Sequence, residues 1–395
     1  MNPQPLKIGI VGCGTAGPAA AILLRRQGHD VTVFERAAEC RAVGAGFLLQ
    51  PSGMHVLRGI GILDEVLNHA AKVECLHVLD ADASTLLKLN YHELGGDLFG
   101  AGLQRPVLMH YLIREMAASR VDLRWGHEIT TLRRNNAKWA LGTSAGDEID
   151  GFDLIVLADG ARSRHRRQIR GGGVDRGYPW GAHWFIGANR GVFPENELYQ
   201  VVDGTRRLGG FLATGRDLDC GEPLVSLFWS IRLADDEAWR RRPLDDWKSE
   251  ILSLCPKAEV LLGQIHDWSQ VMTARYGDVR MRRWHDEGIV ALGDAGHAMS
   301  PQLGQGVNLA LADAACLAEC LAHHPPHRAL RHYQYRRRLA LGYYQFATRW
   351  LTPWFQSDHE WLAPLRKSLF AVSMRIPPAR KLMTLSMAGM IGHRR

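Results

Sequence analysis

Three short segments of the chain are apolar at almost every position and end in small or polar residues: "KIGIVGCG" near residue 10, "FDLIVLADG" near 156 and "GIVALGDAG" near 291. Runs this uniformly apolar predict strands of a sheet covered on both faces. Helical periodicity follows the first and the third, which predicts a parallel, doubly wound core assembled from distant parts of the chain. From about Tyr178 to Trp229 the pattern changes to alternation, with aromatic-rich runs such as "GAHWFIGANRGVF" and "LVSLFWSIR" punctuated by Gly and Asp. Alternation of that kind predicts an antiparallel sheet in a second unit. A helix is expected over "DDEAWRRRPLDDWKSEILSLCP", stopped by Pro256. The C-terminal stretch is predicted helical and basic.

Composition narrows the class. With 395 residues, 46% hydrophobic and 23% charged, the chain is long enough for two packed units and is not a disordered one. Its net charge of +7 comes from arginine runs, "RSRHRRQIR" and two "RRR" triplets. Without a nucleic-acid-binding motif these are solvated faces, and no nucleic-acid partner is expected. The seven cysteines are scattered with no Cys-x-x-Cys pair, so neither a metal site nor a disulfide framework is expected, and a reducing, cytoplasmic location is. The uncharged stretch Ile8 to Leu24 is broken by glycines and Pro18, which favours a strand-turn-helix over a membrane span.

That turn carries candidate chemistry. In "GIVGCGTAGPAAAILLRRQGHDVTVFE", Gly12 permits the tight turn, Gly14 lets backbone approach a pyrophosphate, and Gly17 lets helix and strand pack closely. The helix N-terminus at Ala16 then faces negative charge. Glu35, with Arg36 after it, closes the second strand where a ribose diol would be held, and an acid there argues against a 2'-phosphate in this pocket. The fingerprint alone leaves NAD, NADP and FAD open.

"GDAGHAMSPQLGQGVN" decides between them. Gly293 and Asp294 end an apolar strand, where the carboxylate accepts from a ribityl or pyrophosphate group. Gly304, Gln305 and Gly306 then present bare amides at the start of a helix running on through Val307 and Asn308. A positive dipole there favours the charge a flavin gains on reduction. The arrangement suits FAD and serves no purpose for a nicotinamide cofactor alone. His297 is either part of this site or a satisfied packing histidine.

These motifs, in this order, resemble the single-component (class A) FAD-dependent aromatic monooxygenases of the para-hydroxybenzoate hydroxylase type, from about residue 6 to about 350. The resemblance runs through the fingerprint, Arg41, Gly44 and Gly46 of "RAVGAG", Arg105 of "QRPVLMHYL", Asp159, Gly160, Ser163 and Arg166 of "DGARSRHR", and Gly293 to Asn308. It implies that Glu35 holds the adenosine ribose and that Arg41 and Arg105 reach the pyrophosphate or ribityl chain. It further implies that Asp159 contacts both FAD and NAD(P)H, and that Pro301, Gly304 and Gly306 form the environment of the flavin ring. No acid or base is assigned.

The expected fold is α/β: a discontinuous Rossmann-like FAD-binding domain (1–73, 101–174 and 276–345), an antiparallel-sheet substrate domain (74–100 and 175–275) and a C-terminal helical segment (346–395). With one dinucleotide fingerprint only, NADPH or NADH is expected to visit transiently. The resemblance implies that reduced FAD reacts with O2 to give a flavin hydroperoxide, which oxygenates an aromatic or similarly electron-rich small molecule. The substrate is expected at the domain junction, lined by His183, Trp184, Phe211, Phe228 and Trp229, of which only one of the neighbours Phe228 and Trp229 can face it. No Trp-x-Trp of a flavin halogenase occurs. A flavin-dependent reductase acting on an isoprenoid or quinone-like substrate, or a non-catalytic flavin-binding protein, are the alternatives. From Leu365 onward the chain carries no acid, so the tail is expected either to pack on the FAD-binding domain or a partner, or to touch an anionic membrane surface weakly.

Overall fold

The computed structural model describes residues 4–40, 44–171, 173–219 and 221–392. The three apolar segments lie side by side in a six-stranded sheet. Its order is His285–Asp286, Ile289–Ala291, Leu154–Leu157, Lys7–Val11, Asp30–Glu35, Asp122–Trp125. All neighbours are parallel except the first pair, a short hairpin. Register brings Val11 against Leu157, and Leu157 against Ala291, so the loops after three distant strands open at one end of the sheet. Ile8, Ile10, Leu154, Ile155, Val156 and Ile289 are wholly buried, as a sheet covered by helices on both faces requires.

The alternating segment forms a seven-stranded sheet in the order Met272–Arg280, Val174–Ala188, Pro223–Arg232, Arg207–Arg216, Glu197–Asp203, Cys75–Asp80, Thr85–Asn90. Its pairings are antiparallel apart from Glu197–Asp203 with Cys75–Asp80, which is parallel because strand Cys75–Asp80 arrives from another part of the chain. The helix expected after it is two helices, Asp236–Arg240 and Leu244–Leu254, separated at Pro243, whose ring and missing N–H interrupt the ladder. Helix Leu244–Leu254 lays Trp247 and Ile251 onto one face of the sheet.

Helix Pro326–Phe355 runs unbroken across the expected boundary at 345/346. Helices Leu362–Arg375 and Pro377–Met387 complete the C-terminal part. They pack on the same chain: Phe355, Phe370 and Met387 cluster with Val78, Leu87, Tyr91, Val202 and Leu208 of the sheet side. The Tyr343 hydroxyl meets that of Ser386, and Arg380 pairs with Glu93. Among the described residues no helix is long and apolar enough to cross a membrane.

Candidate flavin site

The loop after the first strand is built by mutual exclusion. Gly12 has φ 104°, and a Cβ there would sit 2.5 Å from the Ala158 carbonyl oxygen, while one on Gly17 would run into the Gly12 carbonyl. Gly14 is different: nothing lies within 4 Å of its would-be Cβ. The first and third glycines therefore serve packing, and the second faces open space ahead of helix Ala16–Arg26, which carries no acid in its first turn to compete for an anion. Glu35 holds the loop by accepting from Cys13 N–H at 2.7 Å and Ala37 N–H at 3.0 Å. Burial and the Glu35 carboxylate push the Cys13 thiol up to about 12. Arg36 is exposed beside it.

Asp159, with Gly160, follows the strand Leu154–Leu157, next to the Gly12 loop. Its Oδ1 is buried without a partner, and burial raises its carboxyl above the ordinary range. Buried acceptors in native proteins are satisfied, so this one implies a donor supplied by a ligand, such as a hydroxyl. Arg166 is 2% exposed and donates to the carbonyls of Gly160 and Ala161, which fixes the turn. Arg105 opens helix Arg105–Ala118 with its Nε buried and unpartnered; a Cβ on Gly44 would lie 2.7 Å from it. Gly46 is pressed onto the second sheet, its N–H donating to Ser226 at 3.2 Å. Arg41 lies outside the described residues.

At the third strand end, Gly293 adopts φ 56°, ψ −140°, a conformation that glycine alone takes without strain. Its N–H donates to Asp313 at 2.9 Å, and the chain then turns Asp294 outward, exposed. The Asp294 Oδ1 lies 4.0 Å from where a Gly306 Cβ would be, so carboxylate and helix N-terminus share one opening. Pro301–Leu303 forms a single tight turn, and nothing surrounds a Cβ at Gly304. Val307 is half-buried in the first turn of helix Gly306–His323. The side chains of Gln305 and Asn308 point inward. Gln305 donates to Met387 O at 2.7 Å, and Asn308 accepts from Gln50 N–H at 2.8 Å while donating to Leu48 O and Gly304 O. Their side chains are spent on shaping the turn.

Behind the turn stands a buried network that the sequence reading did not find. Asp313, 0% exposed, accepts from His297 at 2.5 Å and from Arg337 at 2.7 Å. Burial pushes the Asp313 carboxyl up, but His297 and Arg337 outweigh it and hold it down to about 2. His297 is thus a satisfied interior histidine. The signal was an acid inside the apolar run "LALADAACL", which needs a partner to be buried at all; its partner was hidden in an arginine triplet.

The second sheet presents alternate residues to the flavin side. Register aligns Gln200, Gly210, Phe228, Trp184 and Met272 in one transverse row. The next row holds Ser226 and Leu212, which pack on Gly46 and Leu48 of the nucleotide side. Trp184 and Phe228 therefore face the flavin turn's side of the sheet. His183, Phe211 and Trp229 do not, which corrects their expected place in the pocket. His183 is wholly buried, bonded to Asp236 at 3.0 Å and packed on Trp247 and Trp268, while Phe211 stacks on Phe193 at 4.2 Å beneath the helices. Trp229 is buried in that same cluster.

The glycine cradle, the orphaned Asp159 oxygen and the open Asp294–Gly306 turn fit the pyrophosphate, hydroxyl-bearing chain and ring of FAD in succession. The comparisons agree. The chain is 29% identical over 351 residues to 3-amino-4-hydroxybenzoate 2-monooxygenase of Streptomyces cremeus, covering 85% of this chain and 84% of that one. It is 24% identical over 349 residues to 6-hydroxynicotinate 3-monooxygenase of Pseudomonas fluorescens, covering 81% and 83%. Its fold matches crystal structures of 2-methyl-3-hydroxypyridine-5-carboxylic acid oxygenase (TM-score 0.79, 23% identity, 98% and 96% covered) and of Pseudomonas aeruginosa PqsL in complex with 2-aminobenzoylacetate (TM-score 0.79, 23% identity, 91% and 99% covered). The family model described as "FAD binding domain" matches residues 6–340, and the chain belongs to that family.

Proposed function

We propose that the chain is an FAD-dependent monooxygenase that consumes NAD(P)H and O2 and hydroxylates an aromatic or similarly electron-rich small molecule. The carrying observation is that three strand-end loops, each with one feature awaiting a ligand, lie together at one end of the parallel sheet, and that Gly46 and Leu48 pack on the face of the second sheet that carries Trp184 and Phe228. The named relatives, hydroxylases of small rings, support the reaction class.

Gly12, Gly14, Ala16 and Gly17 offer the backbone amides for the pyrophosphate. Glu35 would take the adenosine ribose, Arg105 would reach the phosphates or ribityl chain, and Asp159 and Asp294 would accept from its hydroxyls; the same role expected of Arg41 falls outside the described residues. When bound, FAD would supply the redox chemistry between NAD(P)H and O2. The protein's own part is positional and electrostatic. The N-terminus of helix Gly306–His323 favours negative charge on the ring, Pro301 and the bare Gly304 and Gly306 permit close approach, and the second sheet excludes water from the reacting centre. The buried thiols Cys13, Cys75, Cys255, Cys316 and Cys320 form no disulfides, which supports a cytoplasmic setting. Purified protein should show flavin absorbance, and NADPH oxidation accelerated by a ring substrate should yield a product carrying one oxygen atom from labelled O2. Oxidation without incorporation under every ring tried would refute hydroxylation.

A further inference from the structure

The row Gln200–Gly210–Phe228–Trp184–Met272 spans five strands on the flavin side of the second sheet. No member carries a charge. The row toward the nucleotide domain, Leu198–Leu212–Ser226–Ile186, and the row toward the C-terminal helices, with Val202, Leu208, Ser230, Ala182 and Ala274, carry none either. Charge on this sheet lies away from these three rows: at the far end of strand Met272–Arg280, where Asp278 pairs with Arg280 and Arg349, and on the other face. Asp236 gathers His183, Arg240 and Arg275 on the opposite, helix-covered side.

The middle of the row is also where the sheet opens. Gln200, Phe228 and Trp184 are partly exposed, whereas Val201, Leu227 and Phe185, which point the other way, are buried. Gly210 leaves a gap between them. A Cβ there would lie 3.6 Å from Gln200 Nε2 and 3.7 Å from Phe228 Cβ, so the amide hangs over the glycine. The result is an aromatic floor with one neutral amide at its edge.

We infer that this row is the substrate platform and selects an uncharged planar ring, with the Gln200 amide taking the ring's hydrogen-bonding substituent. The inference rests on the monooxygenase reading above and narrows it. The relatives named above act on, or were crystallised with, carboxylated compounds; here the platform offers a carboxylate no cation, and an unpaired charge is expelled from a dry site.

The test is binding to the oxidised holoenzyme, read as perturbation of the flavin spectrum, which requires no turnover. Matched probes are phenol against 4-hydroxybenzoate, and 4-quinolone against 4-quinolone-2-carboxylate. The neutral member of each pair should bind about 100-fold more tightly. Gln200→Arg should improve the carboxylates by about 10-fold or more through a charge-assisted pair and weaken the neutral rings. Gly210→Leu should abolish ring binding while FAD stays bound. Carboxylates binding as well as or better than their partners, no ring of either kind binding, or Gly210→Leu binding rings normally would each overturn the inference. Failure of the monooxygenase reading is separately visible, as bound flavin that NADPH does not reduce or as reduction without oxygenated product.

Discussion

Replacing Asp313 with alanine removes the acceptor on which three donors converge: Gly293 N–H, His297 Nε2 and Arg337 Nε, at 2.9, 2.5 and 2.7 Å. Arg337, 4% exposed, would keep only the Leu309 carbonyl at 3.3 Å. Removing one member of a buried ion pair costs about 3–5 kcal/mol, and the orphaned Gly293 amide belongs within the same loss, so about 4 kcal/mol is expected at pH 7. Asp313→Asn keeps an oxygen for Gly293 and should lose less. A second arm uses pH. The folded-state carboxyl is held down to about 2, against about 4 in the unfolded chain, a difference worth about 2–3 kcal/mol. Because the folded value is the depressed one, this contribution is complete above about pH 4 and disappears as pH falls through about 2. Urea denaturation followed by far-UV circular dichroism, from pH 7 down to 3, should therefore show the wild type losing stability below pH 4 more steeply than Asp313→Ala. A loss below about 1 kcal/mol at pH 7, or parallel acid profiles, would refute the account of this network.

Asp294→Ala removes an exposed carboxylate at a strand end, so flavin content should fall by about tenfold or more, as a lost charged hydrogen bond implies, with urea stability of the apoprotein unchanged; full flavin retention would reject the assignment. Gly12→Ala must strain φ 104° and crowd the Ala158 carbonyl, costing on the order of 2 kcal/mol or more of stability, whereas Gly14→Val meets open space and should fold normally while losing FAD. Equal stability of those two variants, measured by thermal melts without flavin, would overturn the division of labour between the glycines. The C-terminal helices expose Leu365, Val372, Ile376 and Leu382 among basic residues, so weak flotation with anionic liposomes is expected of the full chain and not of one ending at Pro364; flotation of neither form removes the membrane contact.

What the sequence discloses and what it withholds follow from the same physics. A strand covered on both faces must be apolar at every position, so the segments near residues 10, 156 and 291 announce themselves, and their register places the three loops together. The meander of Ile129–Asn135, Lys138–Thr143 and Glu148–Phe152 gave no such signal, because its first and last strands are mostly exposed or half-exposed. Alternation in the second sheet shows that Phe228 and Trp229 part company, yet period alone does not say which side a helix covers. That was decided about twenty residues later by Trp247, whose burial against His183 turns His183, Phe211 and Trp229 away from the flavin and leaves Trp184 and Phe228 toward it. The Asp313 network was withheld for the opposite reason. A buried acid is legible as an anomaly in an apolar helix, but its partner Arg337 sits between two arginines, 336 and 338, that are exposed, and only packing separates the one that turns inward. Chemistry carried by backbone shape was therefore open to inspection in the chain, while chemistry carried by the choice of face had to wait for the fold.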